Sequence, residues 1–183
     1  EGHTEVLVVT WNRERLFSKI AGSFAVAELN ILSASIFTRT DDVVVDTFRV
    51  CNERMEVVTH PVDRAAFEKT LTEALGDTED HLMERIAEVG PTLWQKSVGE
   101  AEFPASLRVD QSSELGRTLL HVEAPDRVGL LHSLTRVIAD EGMQISGARI
   151  TTEKGAALDT FVIEDRTGGA ITAEDLLGRL VQS

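Results

Sequence analysis

The chain has 183 residues, of which 42% are apolar and 27% are charged, and it carries a net charge of −13. This much apolar material can form one or two compact cores, so a largely disordered chain is excluded. The acidic balance, without a cluster of Lys and Arg, argues against binding to nucleic acid or to anionic membranes. No stretch approaches the roughly 20 apolar residues of a bilayer span, and the single cysteine, Cys51, excludes an internal disulfide. We therefore expect a cytoplasmic protein with neither a nucleic-acid nor a membrane partner.

The first part of the chain has the hydrophobic patterns of a strand, a helix, a hairpin and a second helix, in that order. We predict a strand at Glu5–Thr10, a helix carrying Leu16, Phe17, Ile20, Phe24 and Ala25, strands at Ile31–Thr40 and Val43–Cys51, and a helix at Val62–Leu75 opened by Pro61. An amphipathic connector helix at Asp77–Val89 follows, leading past Trp94 and Phe103 to a candidate strand at Ala105–Asp110. Large apolar anchors and few Gly or Ser residues indicate a structured connector.

The second part of the chain repeats this order of patterns. We predict strands at Thr118–Ala124, Ile145–Thr152 and Ala157–Glu164, a helix carrying Leu130, Leu131, Leu134, Ile138 and Ala139, and a helix at Ala173–Val181 capped by Thr172.

Sliding the sequence by 114 residues superposes the two parts. Val8 falls on Val122, Arg13 on Arg127, Leu16 on Leu130, Ile31 on Ile145, Ile36 on Ile150 and Thr38 on Thr152, and after one deletion Asp46-Thr47-Phe48 falls on Asp159-Thr160-Phe161. A period this long indicates a duplicated domain, because solenoid units repeat every 20 to 50 residues or so. The predicted domains are residues 4–110, with the connector at about 77–104, and residues 117–183.

The order of elements predicts an α+β protein made of two ferredoxin-like βαββαβ domains, with antiparallel sheets covered by helices on one face. Ala105–Asp110 is the predicted fourth strand of the first domain. The second domain reaches Ser183 soon after its helix, so its fourth strand is expected to be missing from this chain or supplied from elsewhere.

The loops between the first strand and first helix of each copy are candidate anion sites. In the second copy this loop contains Asp126, Arg127, Val128, Gly129 and Leu130. Gly129 allows close approach of a ligand to the backbone, and the first turn of a helix offers N–H groups to a carboxylate. The first-copy loop keeps Asn12 and Arg13 but has Arg15 in place of the glycine, so the sequence predicts that Arg15 fills this space and that the second-copy loop is the better site.

These motifs resemble the ACT domain, a small regulatory module that binds amino acids. The resemblance lies in Pro125-Asp126-Arg127-Val128-Gly129-Leu130-Leu131 after a strand, and in Asn30-Ile31 or Gln144-Ile145 at the start of the next strand. With Leu16-Phe17, Asp46-Thr47-Phe48, Arg117-Thr118-Leu119 and Asp159-Thr160-Phe161, the order is similar to the tandem ACT region of bifunctional PII uridylyltransferase/uridylyl-removing enzymes. Trp11, Arg15 and Val128 depart from the usual pattern.

This resemblance implies glutamine sensing in nitrogen regulation. The regulated protein would be a nucleotidyltransferase and phosphodiesterase, and the implied partners are an amino-acid effector, the PII signal protein and the catalytic domains of the parent enzyme. If the second strands of the two copies lie adjacent and antiparallel, a continuous sheet forms and the ligand sites fall between the copies. One site would combine Asp126, Arg127, Val128, Gly129 and Leu130 with Asn30 and Ile31, and a possible second site would combine Asn12, Arg13 and Arg15 with Gln144 and Ile145.

Asp46 and Asp159 are predicted to support the binding loops. Period-two alternation puts each aspartate on the strand face that carries Phe48 or Phe161, toward the helices. A carboxylate there needs a partner, so we expect hydrogen bonds from helix or loop N–H groups, or pairing with Arg13 and Arg127.

Other interpretations of these residues stay open at this stage. The loop at 125–129 could be only a strand-to-helix turn, although the duplication and Asn30 favour a ligand site. The acidic run Asp77, Glu79 and Asp80 with His81 is typical of a solvated helix start, and neither metal-ligand spacing nor a catalytic motif is found, so no metal, cofactor or enzymatic centre is predicted. A structural or protein-binding ACT pair without a ligand, able to form a homodimer, is the alternative to the sensor. Residue 1 is Glu and not Met, which indicates a processed chain or a piece of a longer one.

Overall fold

Seven strands and three helices are named among residues 2–52, 54–76, 82, 84–86, 88, 104–112, 117–126, 129–165, 167, 169, 171 and 172, the part that the computed structural model describes. They are β1 (Thr4–Trp11), α1 (Leu16–Val26), β2 (Asn30–Phe37), β3 (Val43–Cys51), α2 (Pro61–Gly76), β4 (Ser106–Ser112), β5 (Arg117–Pro125), α3 (Leu130–Asp140), β6 (Gln144–Glu153) and β7 (Ala156–Glu164). All ten were predicted, with ends that differ by a few residues.

The seven strands form one antiparallel sheet in the order β1-β3-β2-β6-β7-β5-β4. Side chains alternate along each strand, so one face of the sheet packs against α1, α2 and α3 while the other is exposed. The predicted α+β class is therefore confirmed.

The strand at residues 106–112, β4, occupies a different position in the sheet from the one predicted. β4 was expected to complete the sheet of the first copy, beside β1, but it pairs along its whole length with β5, from Ser106 opposite Glu123 to Ser112 opposite Arg117. Only four residues separate β4 from β5, so a hairpin between them closes a much shorter loop than a return to β1 would. The second copy thus receives an edge strand from the segment before it, as the sequence left open, and the assignment of this strand to the first copy is wrong.

The two copies meet through their second strands. β2 and β6 pair antiparallel, as predicted for a continuous sheet, and the register sets Ser35 opposite Arg149. These two residues are one 114-residue repeat apart. A local twofold relation between the copies follows, with its axis passing between β2 and β6.

One large apolar cluster of the described residues extends under both copies. Its largest fully buried side chains include Ile20, Phe24 and Phe48 from the first copy and Leu120, Ile138 and Phe161 from the second. Phe17 of α1 links the halves, because its ring centroid lies 6.2 Å from that of Phe48 and 6.5 Å from that of Phe161. The two copies therefore share a hydrophobic core and do not pack around separate cores.

Several predicted features fall wholly or partly outside the described residues. The helix at 173–181, the acidic run with His81, and Trp94 and Phe103 of the connector lie there. Within the predicted connector helix, Leu82 and Ile86 are described; both are helical and buried, and they pack with Ala74.

Candidate functional site between the repeats

Two cavities lie between the repeats, and they are built from equivalent residues. Fourteen of the described residues line the smaller cavity, and the repeat counterpart of each of them lines the larger cavity. Asp126, Gly129, Leu130, Asn30, Ile31, Thr152 and Asp159 in the smaller correspond to Asn12, Arg15, Leu16, Gln144, Ile145, Thr38 and Asp46 in the larger. The local twofold relation therefore extends from the sheet to the cavities.

The smaller cavity contains most of the site predicted for the second-copy loop. Asp126, Gly129 and Leu130 come from one repeat and Asn30 and Ile31 from the other, and all five line it. Arg127 and Val128 lie outside the described residues. The structure thus brings together the loop and the strand start that the sequence assigned to one site.

Hydrogen bonds hold the smaller cavity closed. Asn30 donates from Nδ2 to Oδ2 of Asp126 at 3.5 Å, and the Thr152 hydroxyl donates to the same oxygen at 3.2 Å. The cavity volume is about 20 Å³, which is room for about one water molecule. An amino acid can enter only if these hydrogen bonds rearrange.

The larger cavity has a volume of about 620 Å³, within the range of small-molecule pockets. Asn12, Arg13, Arg15, Gln144 and Ile145, the predicted second set of ligand residues, all line it. The prediction that Arg15 fills this site is wrong. Its guanidinium lies 2.7 Å from a carboxylate oxygen of Asp140, at the end of α3, and so belongs to the cavity wall.

The loops that open α1 and α3 have the same backbone conformation despite their different sequences. Arg15 has φ 58° and Gly129 has φ 84°, both in the left-handed region at the residue before the helix. Glycine adopts this conformation without strain, whereas arginine does so at a cost of order 1–3 kcal/mol. The first copy therefore keeps the shape of the loop even though it has lost the glycine.

Asp46 and Asp159 occupy equivalent buried positions in the walls of the two cavities. They are 1% and 3% exposed, on the helix side of β3 and β7. Asp46 Oδ1 accepts a hydrogen bond from the backbone N–H of Phe37 at 3.3 Å, and Asp159 accepts one from the backbone N–H of Thr151. Within the described part of the chain, the second oxygen of each carboxyl group has no hydrogen-bond partner.

The partners expected for Asp46 are therefore wrong. Its hydrogen bond comes from the neighbouring strand and not from the loop, while Arg13 donates to the carbonyl oxygen of Leu75 at 2.9 Å and to the Thr10 hydroxyl at 3.3 Å. A strand N–H is nearer because the side chain projects from the sheet beside the end of β2. The helix or loop partner expected for Asp159 is wrong as well, since its hydrogen bond comes from Thr151 of β6, and its other predicted partner, Arg127, is outside the described residues.

Burial dominates the electrostatics of both aspartates. It raises the pKa of Asp46 to about 7, opposed by the hydrogen bond from Phe37. Burial likewise raises the pKa of Asp159 to about 7, opposed by the hydrogen bond from Thr151 and reinforced by the nearby charge of Asp126. Each cavity thus has one carboxyl group that titrates near neutral pH.

Several residues of these sites were not predicted from the sequence. Thr152, which donates to Asp126, could have been found because Thr38 and Thr152 superpose in the repeat. Arg117 and Glu164, 3.7 Å apart, line the larger cavity together with Ser146, whose hydroxyl donates to Glu164 at 2.5 Å. Ser146 and Glu164 lie in no motif identified in the sequence, and Arg117 contributed only to the resemblance and was not predicted as a site residue; the fold of the sheet brings the three together.

The chain is similar in sequence to bifunctional uridylyltransferase/uridylyl-removing enzymes, whereas no protein-family model matches it. It is 31% identical over 177 residues to the enzyme of Rhodospirillum rubrum, 30% over 179 residues to that of Gluconobacter oxydans, and 29% over 182 residues to that of Azospirillum brasilense. Each match covers at least 97% of this chain but only 19% of the relative's length. The resemblance predicted from the motifs is therefore confirmed for one region of these enzymes.

The helices named among the described residues are too short or too polar to cross a membrane.

Proposed function

We propose that the chain is a pair of ferredoxin-like ACT domains that binds a small amino acid between its repeats, with L-glutamine as the first candidate. Supporting this fold, the strand order β4-β5-β7-β6 is that of a ferredoxin-like sheet in which β4 occupies the edge next to the first strand of the copy. In the first copy, the order β1-β3-β2 repeats the rest of that pattern.

The observation that carries the proposal is the equivalence of the two cavities. Fourteen positions recur around both, and in each cavity a loop from one repeat meets the start of a strand from the other. A gap left by imperfect packing would not be expected to recur with polar residues at matching positions. Here Asn12 of the larger cavity matches Asp126 of the smaller one, and Gln144 matches Asn30. In this proposal the larger cavity receives the ligand directly, and the smaller one receives it once the Asn30 and Asp126 side chains separate.

A ligand held between the repeats can act as a signal because it contacts both. It favours the relative orientation of the two copies that binds it better, and a coupling of about 1–3 kcal/mol is typical of such regulation. The relatives are named for transferring and removing uridylyl groups. We propose that this chain senses the amino acid and controls such a pair of activities, with the catalytic regions and the PII protein as its partners in the cytoplasm, and does not itself catalyse either reaction.

Isothermal titration calorimetry with each of the twenty common amino acids tests the proposal. We expect heat of binding with L-glutamine and weak or absent heat with D-glutamine, since a site of fixed hydrogen-bond donors distinguishes the enantiomers. Gln144→Ala, at the mouth of the larger cavity, should weaken binding, whereas Arg108→Ala, on the exposed edge strand, should not. No binding of any amino acid would contradict the proposal.

An alternative function is supported by the exposed face of the sheet. Leu7, Val9 and Trp11 are 61%, 59% and 64% exposed on the same side of β1, and Phe37 of β2 is 59% exposed. Exposed apolar patches mark protein contacts, so a homodimer or a docked catalytic domain fits this face. Sedimentation of the wild type and of Val9→Lys tests it: a dimer that Val9→Lys dissociates, in a protein that binds no amino acid, would favour the structural module.

A further inference from the structure

The buried carboxyl group of Asp46 has one satisfied oxygen and one unsatisfied oxygen. The residue sits in the middle of β3, opposite Val8 of β1, with Val44 and Phe48 on the same face of the strand. Oδ1 accepts from the Phe37 N–H, whereas Oδ2 has no partner among the described residues. A buried acceptor without a partner is costly, and a native protein that retains one usually has a use for it.

The arginine side chains around the larger cavity are held in contacts with other groups. Arg13 bonds to the Leu75 carbonyl, Arg15 to Asp140, and Arg117 lies near Glu164, while Glu14 also lines the cavity. In these contacts each of the three guanidinium groups faces a partner other than Asp46. The second oxygen of Asp46 is itself buried, so a cation in the cavity can reach it once the side chains that cover it move aside.

The cavity also offers a place for negative charge. The first residues of α1, Leu16, Phe17 and Ser18, line it, and the partial positive charge of a helix N-terminus favours an anion. The side chain at the N-cap, Arg15, forms no capping hydrogen bond. A free amino acid carries a carboxylate and an ammonium group on one carbon, which matches a helix N-terminus and a buried carboxyl group that line the same cavity.

We propose that Asp46 binds the α-ammonium group of the amino acid in the larger cavity, and that Asp159 has the same role in the smaller one. The inference rests on the proposed function and adds to it the group that selects α-amino acids over simple carboxylic acids. Asp159 repeats the geometry, with a backbone hydrogen bond to one oxygen and no described partner for the other. Around it the smaller cavity presents Asp126, Asn30 and His132.

Binding should release a proton at neutral pH. Because burial raises the pKa of Asp46 to about 7, the free protein holds a proton on this group about half of the time at pH 7. An ammonium group beside it favours the ionised form, so the proton on the carboxyl group passes to the buffer as the ion pair forms. Proton release is a signature that a merely structural aspartate would not give.

The experiment is calorimetry of L-glutamine at pH 7 in two buffers with different ionisation enthalpies. We expect the wild type to release up to about half a proton for each occupied site, and Asp46→Asn to lose this release at the larger cavity and to bind there about 10- to 100-fold more weakly. Asp41→Asn, an exposed carboxyl group on the β2–β3 turn, is the matched control and should change neither quantity.

A ligand analogue gives a readout that needs no variant. Glutaramate is glutamine without its α-amino group, and the wild type should bind it at least 10-fold more weakly than glutamine. Equal affinity for the two ligands, or unchanged binding and proton release in a folded Asp46→Asn protein, would overturn the role of Asp46 while leaving amino-acid sensing intact. Absence of glutamine binding to the wild type would overturn both.

Discussion

Ser18 and His132 occupy the same position in the two repeats, and they lie against each other across the interface of α1 and α3. The Nδ1 atom of His132 donates to the carbonyl oxygen of Ser18 at 3.0 Å and lies 3.4 Å from the Ser18 hydroxyl. Both residues are buried. Together with Ser35 and Arg149 in the sheet, this contact marks the local twofold axis, which passes through both the helix layer and the strand layer.

Gly22 lets the helices approach this closely. A Cβ atom at position 22 would lie 2.9 Å from His132 Nδ1 and 3.0 Å from the Cδ1 atom of Ile86. The His132 ring is held by its hydrogen bond, so Gly22→Ala should lower the free energy of unfolding by about 1–3 kcal/mol, measured by urea denaturation. Gly76→Ala is the matched control, because a Cβ there meets nothing within 4 Å. A Gly22→Ala protein as stable as the wild type would contradict this packing argument.

Stability should fall as the pH rises from about 4 to about 7. For Asp46 and Asp159 the folded pKa of about 7 lies above the ordinary pKa of 3.8, so between these values the folded state holds protons that the unfolded state has lost. The stabilisation is complete below the unfolded pKa and disappears as the pH passes the folded pKa, with a slope of up to about 1.4 kcal/mol per pH unit for each group.

Asparagine variants isolate this effect from other titrating groups. Asp46→Asn and Asp159→Asn should each flatten the difference in unfolding free energy between pH 5 and pH 7, and the double variant should flatten it further. Parallel pH profiles for the wild type and both variants would show that burial does not shift these groups.

Asn30→Ala should weaken amino-acid binding in the smaller cavity. The side chain is 4% exposed and donates to Asp126, so its loss leaves a buried acceptor or a ligand group without a donor, at a cost of about 1–3 kcal/mol. Calorimetry should find the weaker of two sites lost or its affinity reduced about 5- to 150-fold. The same change in its repeat counterpart, Gln144→Ala, should act on the other site, and identical effects of the two variants would contradict separate sites.

Gly129→Arg should abolish binding in the smaller cavity. The side chain would add a long cation beside Asn30 and Asp126. Arg15 is held at the wall of the larger cavity by Asp140, but the repeat counterpart of Asp140 is Val26, so an arginine at position 129 lacks that partner. The number of glutamine molecules bound should drop from two to one.

Gly129→Ala separates the effect of backbone strain on binding from the effect of the added positive charge. It imposes the same backbone cost, of order 1–3 kcal/mol, without filling the cavity, because a Cβ at this position meets nothing within 4 Å. Gly129→Ala should therefore keep both sites, and retention of two sites in Gly129→Arg would contradict the assignment of this loop.

Repetition made much of the architecture predictable from the sequence. The 114-residue offset, combined with antiparallel pairing of the second strands, places Asn30 of one repeat against the loop at Asp126 of the other, because two like copies joined through equivalent strands share sites in pairs. The spacing of apolar residues predicted the strands and helices, because an element that is buried on one face carries apolar residues at regular intervals in the sequence.

The wrong predictions concern interactions whose energies depend on three-dimensional context. The sequence of residues 105–110 does not determine which strand this segment pairs with. The direction in which Arg15 points depends on Asp140, 125 positions later, and the partner of Asp46 depends on how β2 ends. Long side chains and backbone donors have several partners within reach, and the sequence does not rank them.

The pairing of β4 with β5 also determines where the chain can be cut. A fragment that begins at residue 117 would lack the strand that now satisfies the outer row of N–H and C=O groups on β5, from Arg117 to Glu123. Such a bare edge recruits other chains and favours aggregation. A fragment that begins at residue 104 carries its own protective strand. The folding unit of the second copy therefore begins with β4, one strand before the point where the sequence similarity between the repeats begins.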